Sequence, residues 1–165
     1  MGDILRCLNG NGLLLTPRSA SHSFATAAIN QFWPEQEINP DWHPAASFPN
    51  QENYDGSQEN IAIIVRNPVE RFRSMVAHSI DRVNMSLEEH LASPIYGPLT
   101  KGQFARYFRF ENQLRECADW LGIKNLPHID ATEESNKPTL TPEQEARVRE
   151  IFAEDIELWN QLQNQ

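Results

Sequence analysis

The stretch "NIAIIVRNPVERF", residues 60–72, decides the fold class. Ile61 to Val65 is apolar without polar alternation, as a strand buried on both faces requires, and such strands belong to parallel sheets. Asn67 and Pro68 then open a helix. Asn67 reads as its N-cap, Pro68 as its first helical residue and Glu70 as the reciprocal capping partner. Val69, Phe72, Val76 and Ile80 supply the apolar stripe of that helix. Arg71, Ser74 and His78 fall on another face, with Arg71 and Arg73 read as solvated surface charge. A buried strand feeding directly into a capped helix is the unit of an α/β fold.

The same grammar recurs upstream in "LLLTPRSASHSFATAAI", residues 13–29. Three leucines and a threonine form a strand, a polar turn follows, and a helix runs from about Ser21 to Trp33, where Pro34 stops it. Ahead of it, "ILRCLNGNGLLLT" reads as two short strands around an Asn-Gly turn, or as a loose lead-in to one strand over 12–16. Pro34, Pro40, Pro44 and Pro49 make residues 34–60 irregular, with one short strand near 45–48. Ser86 to Glu89 forms a second capping box, for a short helix ended by Pro94. Residues 105–110 read as a strand, and 112–121 as a helix closed by Gly122. Thr141 caps one last long helix whose apolar face is Val148, Ile151, Phe152, Ile156, Trp159 and Leu162. The alternation implies a single three-layer α/β domain over 1–165, its mostly parallel sheet flanked by helices.

Bulk properties exclude several classes. With 165 residues, 39% hydrophobic and 22% charged, the chain has the make-up of a soluble globular domain. A formal net charge of −9 argues against bulk binding of nucleic acid or anionic membrane. No apolar run approaches the ~20 residues of a membrane helix, and the N-terminus lacks a signal-peptide pattern. Cys7 and Cys117 have no metal-ligand spacing and read as buried free thiols of a cytoplasmic protein. An anion could still bind where the few cations converge, as they do at Arg66, Arg71 and Arg73.

Two places have the chemistry for that. A strand-to-helix turn offers N–H groups and partial positive charge at the helix start. Here the turn carries Pro17, Arg18, Ser19, Ala20, Ser21, His22 and Ser23, though it lacks the GxxxxGK[ST] pattern of Walker-type nucleotidases. Arg66 leaves the carboxyl end of a strand, the edge where open α/β sheets bind ligands. Its guanidinium fork matches phosphate oxygens, and Ser74 lies two helical turns further on.

Read together, these segments resemble the sulfotransferases that use 3′-phosphoadenosine-5′-phosphosulfate (PAPS), in particular small, soluble members of bacterial or phage type. That family's first strand leads into a loop of type P-[KR]-[ST]-G-[ST]-[ST], which holds the 5′-phosphosulfate; Pro17 to Ser23 is similar. "IAIIVRNPVERFRSMVAH" is similar to the family's 3′-phosphate segment, with Arg66 and Ser74 at its two phosphate-binding positions. "RYFRFENQLRECADWLGI" (106–123) and "LPHIDATEESNKPTLTPEQEARVREIFAEDIELWNQL" (126–162) resemble its later strand–helix unit and its closing loop and helix. The likeness spans nearly all of the chain from about residue 12, and implies a P-loop-like sulfotransferase fold.

The resemblance implies transfer of a sulfuryl group from PAPS to an acceptor hydroxyl or amine on a small molecule or glycan, leaving adenosine 3′,5′-bisphosphate (PAP), with no metal. Arg18 and the N–H groups of Ser19, Ala20, Ser21, His22 and Ser23 would hold the transferring group and 5′-phosphate. His43, in "WHPAA", resembles a His-[ST]-Pro-Ala stretch of several small members and is the candidate general base. His22 is the next candidate for that role. Two positions depart from the pattern. Ala20 stands where the family commonly has glycine, and His22 where it has a hydroxyl. These departures motivate the alternative, a non-catalytic relative that retains nucleotide binding; an unrelated α/β domain with an acidic or peptide partner is a third reading. Trp33, Trp42, Tyr54, Tyr96 and Tyr107 are either pocket-lining or packing residues.

Overall fold

The structure is a computed structural model that describes residues 2–80, 82–128 and 133–164. It is an α/β fold with a four-stranded, mostly parallel open sheet and six α-helices among those residues. The chain divides into two compact units, Met1–Val65 with Thr100–Asp130 and Arg66–Leu99 with Ala131–Gln165.

The first unit holds the sheet, in the order β1 (Ile4–Arg6), β2 (Gly12–Leu14), β3 (Ile61–Val65), β4 (Arg106–Arg109). The hairpin reading of the N-terminus holds: β1 and β2 are antiparallel, with Leu5 opposite Leu13. The connecting turn closes through Cys7 N–H to the Asn11 carbonyl at 2.9 Å and Gly10 N–H to the Cys7 carbonyl at 3.1 Å. The other two pairings are parallel, placing Leu13 beside Ala62 and Val65 beside Arg109. A Cβ at Gly12 would meet the end of the Ile61 side chain at 2.7 Å and the Ile4 side chain at 3.2 Å, so a larger residue there would have to displace them. All five residues of β3 are buried, as its unbroken apolar run implies.

Helix α1 (Ser21–Phe32) packs Phe24, Ala25, Ala28 and Ile29 into a core with Leu5, Leu13, Leu15, Ala62, Ile64 and Phe108. Helix α4 (Leu114–Leu121) adds Cys117, Ala118 and Leu121 to it. Gly122 ends α4 in the left-handed conformation at φ 76° that its C′ position favours. Residues 45–48 are a correction, because the chain there forms a short 3₁₀ turn, Pro44–Ser47, and not a strand. Pro44 sits in its first turn and the Ala45 N–H is held by the His43 side chain, so local capping overrides the apolar run.

The second unit is helical. Helix α2 (Pro68–Ser79) begins with the expected N-cap and first-turn proline, the Asn67 carboxamide accepting from Val69 N–H at 3.0 Å and Glu70 N–H at 3.4 Å, while the Glu70 carboxylate, read as the reciprocal capping partner, holds Arg73 at 2.9 Å. Helices α3 (Leu87–Ala92) and α5 (Pro142–Ile151) both open with the capping boxes of their sequences, Ser86/Glu89 and Thr141/Gln144. The expected single last helix is instead two. Phe152, at φ −106° and ψ 31°, separates α5 from α6 (Ala153–Gln163). Phe152 is buried and packs its ring 6.3 Å from Phe72, inside a core with Val69, Met75, Val76, Leu91 and Val148. No proline or glycine marks that break. Residues 129–132 of the closing loop lie outside the described residues.

Candidate functional site: an anion cradle at the turn between β2 and α1

The chain leaves β2 through buried Leu15 and Thr16 and tightens at once, with the Ser19 N–H on the Thr16 carbonyl at 3.2 Å. Two non-glycine residues within three positions then take left-handed dihedrals, Arg18 at φ 62° and Ala20 at φ 67°. A side chain in that region costs ~1–2 kcal/mol per residue. Such strain persists where the surroundings over-determine it, and it clusters at ligand-holding turns. Ala20 is also the N-cap of α1, and it has no side-chain oxygen to cap the first turn. The start of a twelve-residue helix thus presents its N–H groups without a side-chain cap.

Ser19 sharpens the picture. It is 2% exposed and its Oγ, like the Thr26 Oγ1 on α1, has no hydrogen-bond partner among the described residues. A buried hydroxyl left unsatisfied costs about 1–3 kcal/mol, and native interiors rarely tolerate it without cause. An anion settling on this turn would give that hydroxyl an acceptor.

His43 joins the same cluster. The Ala45 N–H donates to its Nδ1 at 3.1 Å, so the neutral ring carries its proton on Nε2. That Nε2–H faces the Ser21 Oγ at 3.1 Å. The His22 ring lies 5.5 Å from the His43 ring, tilted by 57°. The residues from Arg18 to Ser23 and His43, far apart in sequence, therefore form one cluster of the first unit. In this arrangement His43 donates from Nε2, and accepting a proton there requires a tautomer switch that gives up Ala45. One cation of the same unit escaped the sequence reading. Arg109 is the last residue of β4, in register with Val65 at the carboxyl edge of the parallel strands, its N–H on the Gln113 Oε1 at 2.9 Å. The test applied to Arg66, a cation where a predicted strand ends, would have found it.

Arg66 and Ser74 belong to the second unit. Arg66 is the residue after β3 and is partly buried, whereas Ser74 is 1% exposed on α2. Arg71 and Arg73 are not solvated surface charge. Arg71 is buried and donates to the Gly97 carbonyl at 3.1 Å; burial pushes its pKa down, against the pull of Asp155 and Tyr96. Asp155, also buried, accepts the Leu99 N–H at 3.0 Å, and desolvation pushes its carboxyl pKa up. Arg73 pairs with Glu70 at 2.9 Å and Glu134 at 2.6 Å. Ile80, assigned to the apolar stripe, is 54% exposed. The helix turns its Arg71–Ser74 face inward because these polar groups find partners there.

His90, given no role from sequence, is fully buried beside Ser79, its Nε2 2.5 Å from the Ser79 Oγ. This pair is not a nucleophile and base. The Ile95 N–H faces His90 Nδ1 at 3.4 Å, so Nε2–H donates to Ser79, whose own hydroxyl donates to the Val76 carbonyl at 3.1 Å. Among the described residues, no group of three or more His, Cys, Asp or Glu side chains is placed to hold a metal ion. No helix among them is long and apolar enough to cross a membrane. The chain matches no protein-family model, no curated protein and no solved structure.

Proposed function

We propose that this chain is a PAPS-dependent sulfotransferase of P-loop-like, three-layer architecture, with the turn between β2 and α1 as its phosphosulfate cradle. The observation that carries the reading is the buried, partnerless hydroxyl of Ser19, set in a strained turn at the uncapped start of α1. Those residues suit a tetrahedral oxyanion. Backbone N–H groups and a guanidinium donate to it, and a stranded hydroxyl gains an acceptor.

In this reading Arg18 and the N–H groups of residues 19–23 bind the 5′-phosphosulfate and stabilise the charge that grows on the 5′-phosphate. Arg66 and Ser74 bind the 3′-phosphate. PAPS supplies the transferable group: the bond from sulfur to the 5′-phosphate oxygen breaks with its electron pair on PAP, while sulfur bonds to the acceptor oxygen or nitrogen. The acceptor's proton goes to a base. His43 takes that role after the tautomer switch described above, and donates to Ser21 before it. The occupied Nδ1 also favours a second reading, a nucleotide-binding relative without turnover. PAP binding is common to both, and only the first predicts sulfuryl transfer.

Ser19→Ala tests the cradle. Removing an orphan hydroxyl should leave apo stability unchanged or higher, because a desolvated group with no partner is lost. Saturating PAP, at 100 times its Kd, should stabilise the native protein by ~2.7 kcal/mol, and AMP or ATP by much less. In Ser19→Ala that PAP-induced shift should shrink. Equal shifts from the three nucleotides, or a variant that loses apo stability and keeps its full PAP shift, would refute the assignment.

A further inference from the structure

The second half of α1 lines a cavity of about 660 Å³ within the first unit, away from the cradle. Ser21 opens the helix at the cradle, and Gln31 stands near its other end, ~15 Å along the axis. Gln31 builds one wall. Its Nε2–H donates to the Gly122 carbonyl at 2.7 Å and its Oε1 accepts the Lys124 N–H at 2.8 Å, so one side chain fixes the segment that follows α4. Arg115, near the start of α4, holds the same segment by donating to the Lys124 carbonyl at 2.9 Å. Ala27, Leu126 and Pro127 give the cavity its apolar surface, and Leu126 also packs on the core. Hydrogen bonds and packing inside one unit therefore set its shape before any ligand arrives, at a volume usual for small-molecule sites.

Charge and hydrogen-bonding capacity define what fits. Among the described residues no carboxylate lines the cavity, although the chain has a formal net charge of −9. Arg115 is neutralised by Asp119, whose Oδ1 accepts from its Nη2 at 2.8 Å and its Nε at 3.1 Å. Lys124 forms no ion pair among the described residues, so the cavity offers one uncompensated positive charge. A single charge matches a carboxylate better than a phosphate dianion. Asn30 and Asn125 also line the cavity, and neither carboxamide is hydrogen-bonded among the described residues. A carboxamide presents both donors and an acceptor, the complement of the C=O and N–H of an amide.

We infer that this cavity binds an acylated amino acid, free or as the C-terminal residue of a peptide. Lys124 meets the carboxylate, Asn30 and Asn125 meet the amide, and Ala27, Leu126 and Pro127 take an apolar side chain. The site is separate from the proposed nucleotide site and does not rest on it.

The test is amide NMR of the full chain at neutral pH and low salt. N-acetyl-leucine is titrated against N-acetyl-leucinamide, which keeps the body and removes the charge. N-acetyl-leucine should shift the side-chain amide signals of Asn30, Gln31 and Asn125. It should bind about tenfold or more tightly than the amide, as the loss of a charge-assisted contact implies. Lys124→Gln should erase that preference, and Asn125→Ala should weaken binding of both compounds; both side chains are exposed, so the fold is kept. A blocked Ala-Ala-Leu peptide identifies the source: tighter binding than N-acetyl-leucine makes the occupant a peptide C-terminus, and equal or weaker binding makes it a free acylated amino acid. Equal affinity for N-acetyl-leucine and its amide, a preference that survives in Lys124→Gln, or no shift at these side chains overturns the inference. PAP binding is read separately and should be unchanged in Lys124→Gln.

Discussion

Replacing Ala20 with glycine isolates the strain in the cradle. Ala20 sits at φ 67° and ψ 15°, where a Cβ costs ~1–2 kcal/mol. Glycine removes that cost and brings back ~0.4–1 kcal/mol of unfolded-chain entropy. The N-cap position itself prefers glycine to alanine. The balance favours Ala20→Gly by about 0.5–1 kcal/mol, which for a chain of this size raises Tm by roughly 1–4 °C. The sign is what makes the test sharp. At Ala146, exposed in α5, the same exchange should cost about 1 kcal/mol, as it does in any helix interior. Urea titration of both variants beside the wild type reads the two effects in one assay. An Ala20→Gly protein destabilised like Ala146→Gly would refute the left-handed turn, and with it the strain argument for the cradle.

Three further expectations follow from other parts of the molecule. Losing a charge-assisted phosphate contact costs on the order of 1.5–3 kcal/mol, so Arg66→Ala should weaken PAP binding at least tenfold, with a smaller loss for Ser74→Ala. Unchanged affinity in a folded Arg66→Ala protein, measured by calorimetry, removes that residue from the site. Burial holds the His90 pKa below its usual 6.5, so the unfolded chain binds the proton more tightly than the native one. His90 should therefore contribute stability above about pH 6.5 that is lost as pH falls towards its lowered native value. Urea midpoints between pH 7 and 5 should show this slope in the wild type and less of it in His90→Gln; equal slopes contradict it. Cys7 and Cys117 are buried thiols, with desolvation pushing Cys7 up to about 12 and Cys117 higher than usual as well. Neither should react with a thiol reagent at pH 8 in the native state, and both should react in denaturant.

What was legible in the sequence is what short-range physics dictates. The unbroken apolar run of Ile61 to Val65 made β3 a buried parallel strand, and Asn67-Pro68 set the start of α2. Ser86/Glu89 and Thr141/Gln144 marked two helix starts, and Gly122 marked a helix end, because each motif satisfies its own backbone groups within a few residues. The residues between β2 and α1 were legible too, as a polar turn between a strand and a helix. Their conformation was not. Left-handed Arg18 and Ala20, and a Ser19 hydroxyl without a partner, depend on how the turn is held by the packed core around it. The 3₁₀ turn at Pro44–Ser47 needed His43 to cap it, and nothing in that apolar stretch announces a histidine N-cap. The burial of Arg71 and Asp155 likewise came with partners distant in sequence, the Gly97 carbonyl and the Leu99 N–H, and Phe152 at the helix break packs against Phe72. Hydrophobic periodicity locates apolar faces, but a polar side chain goes inside only when another segment brings it a donor or acceptor. That pairing exists only once the chain has folded.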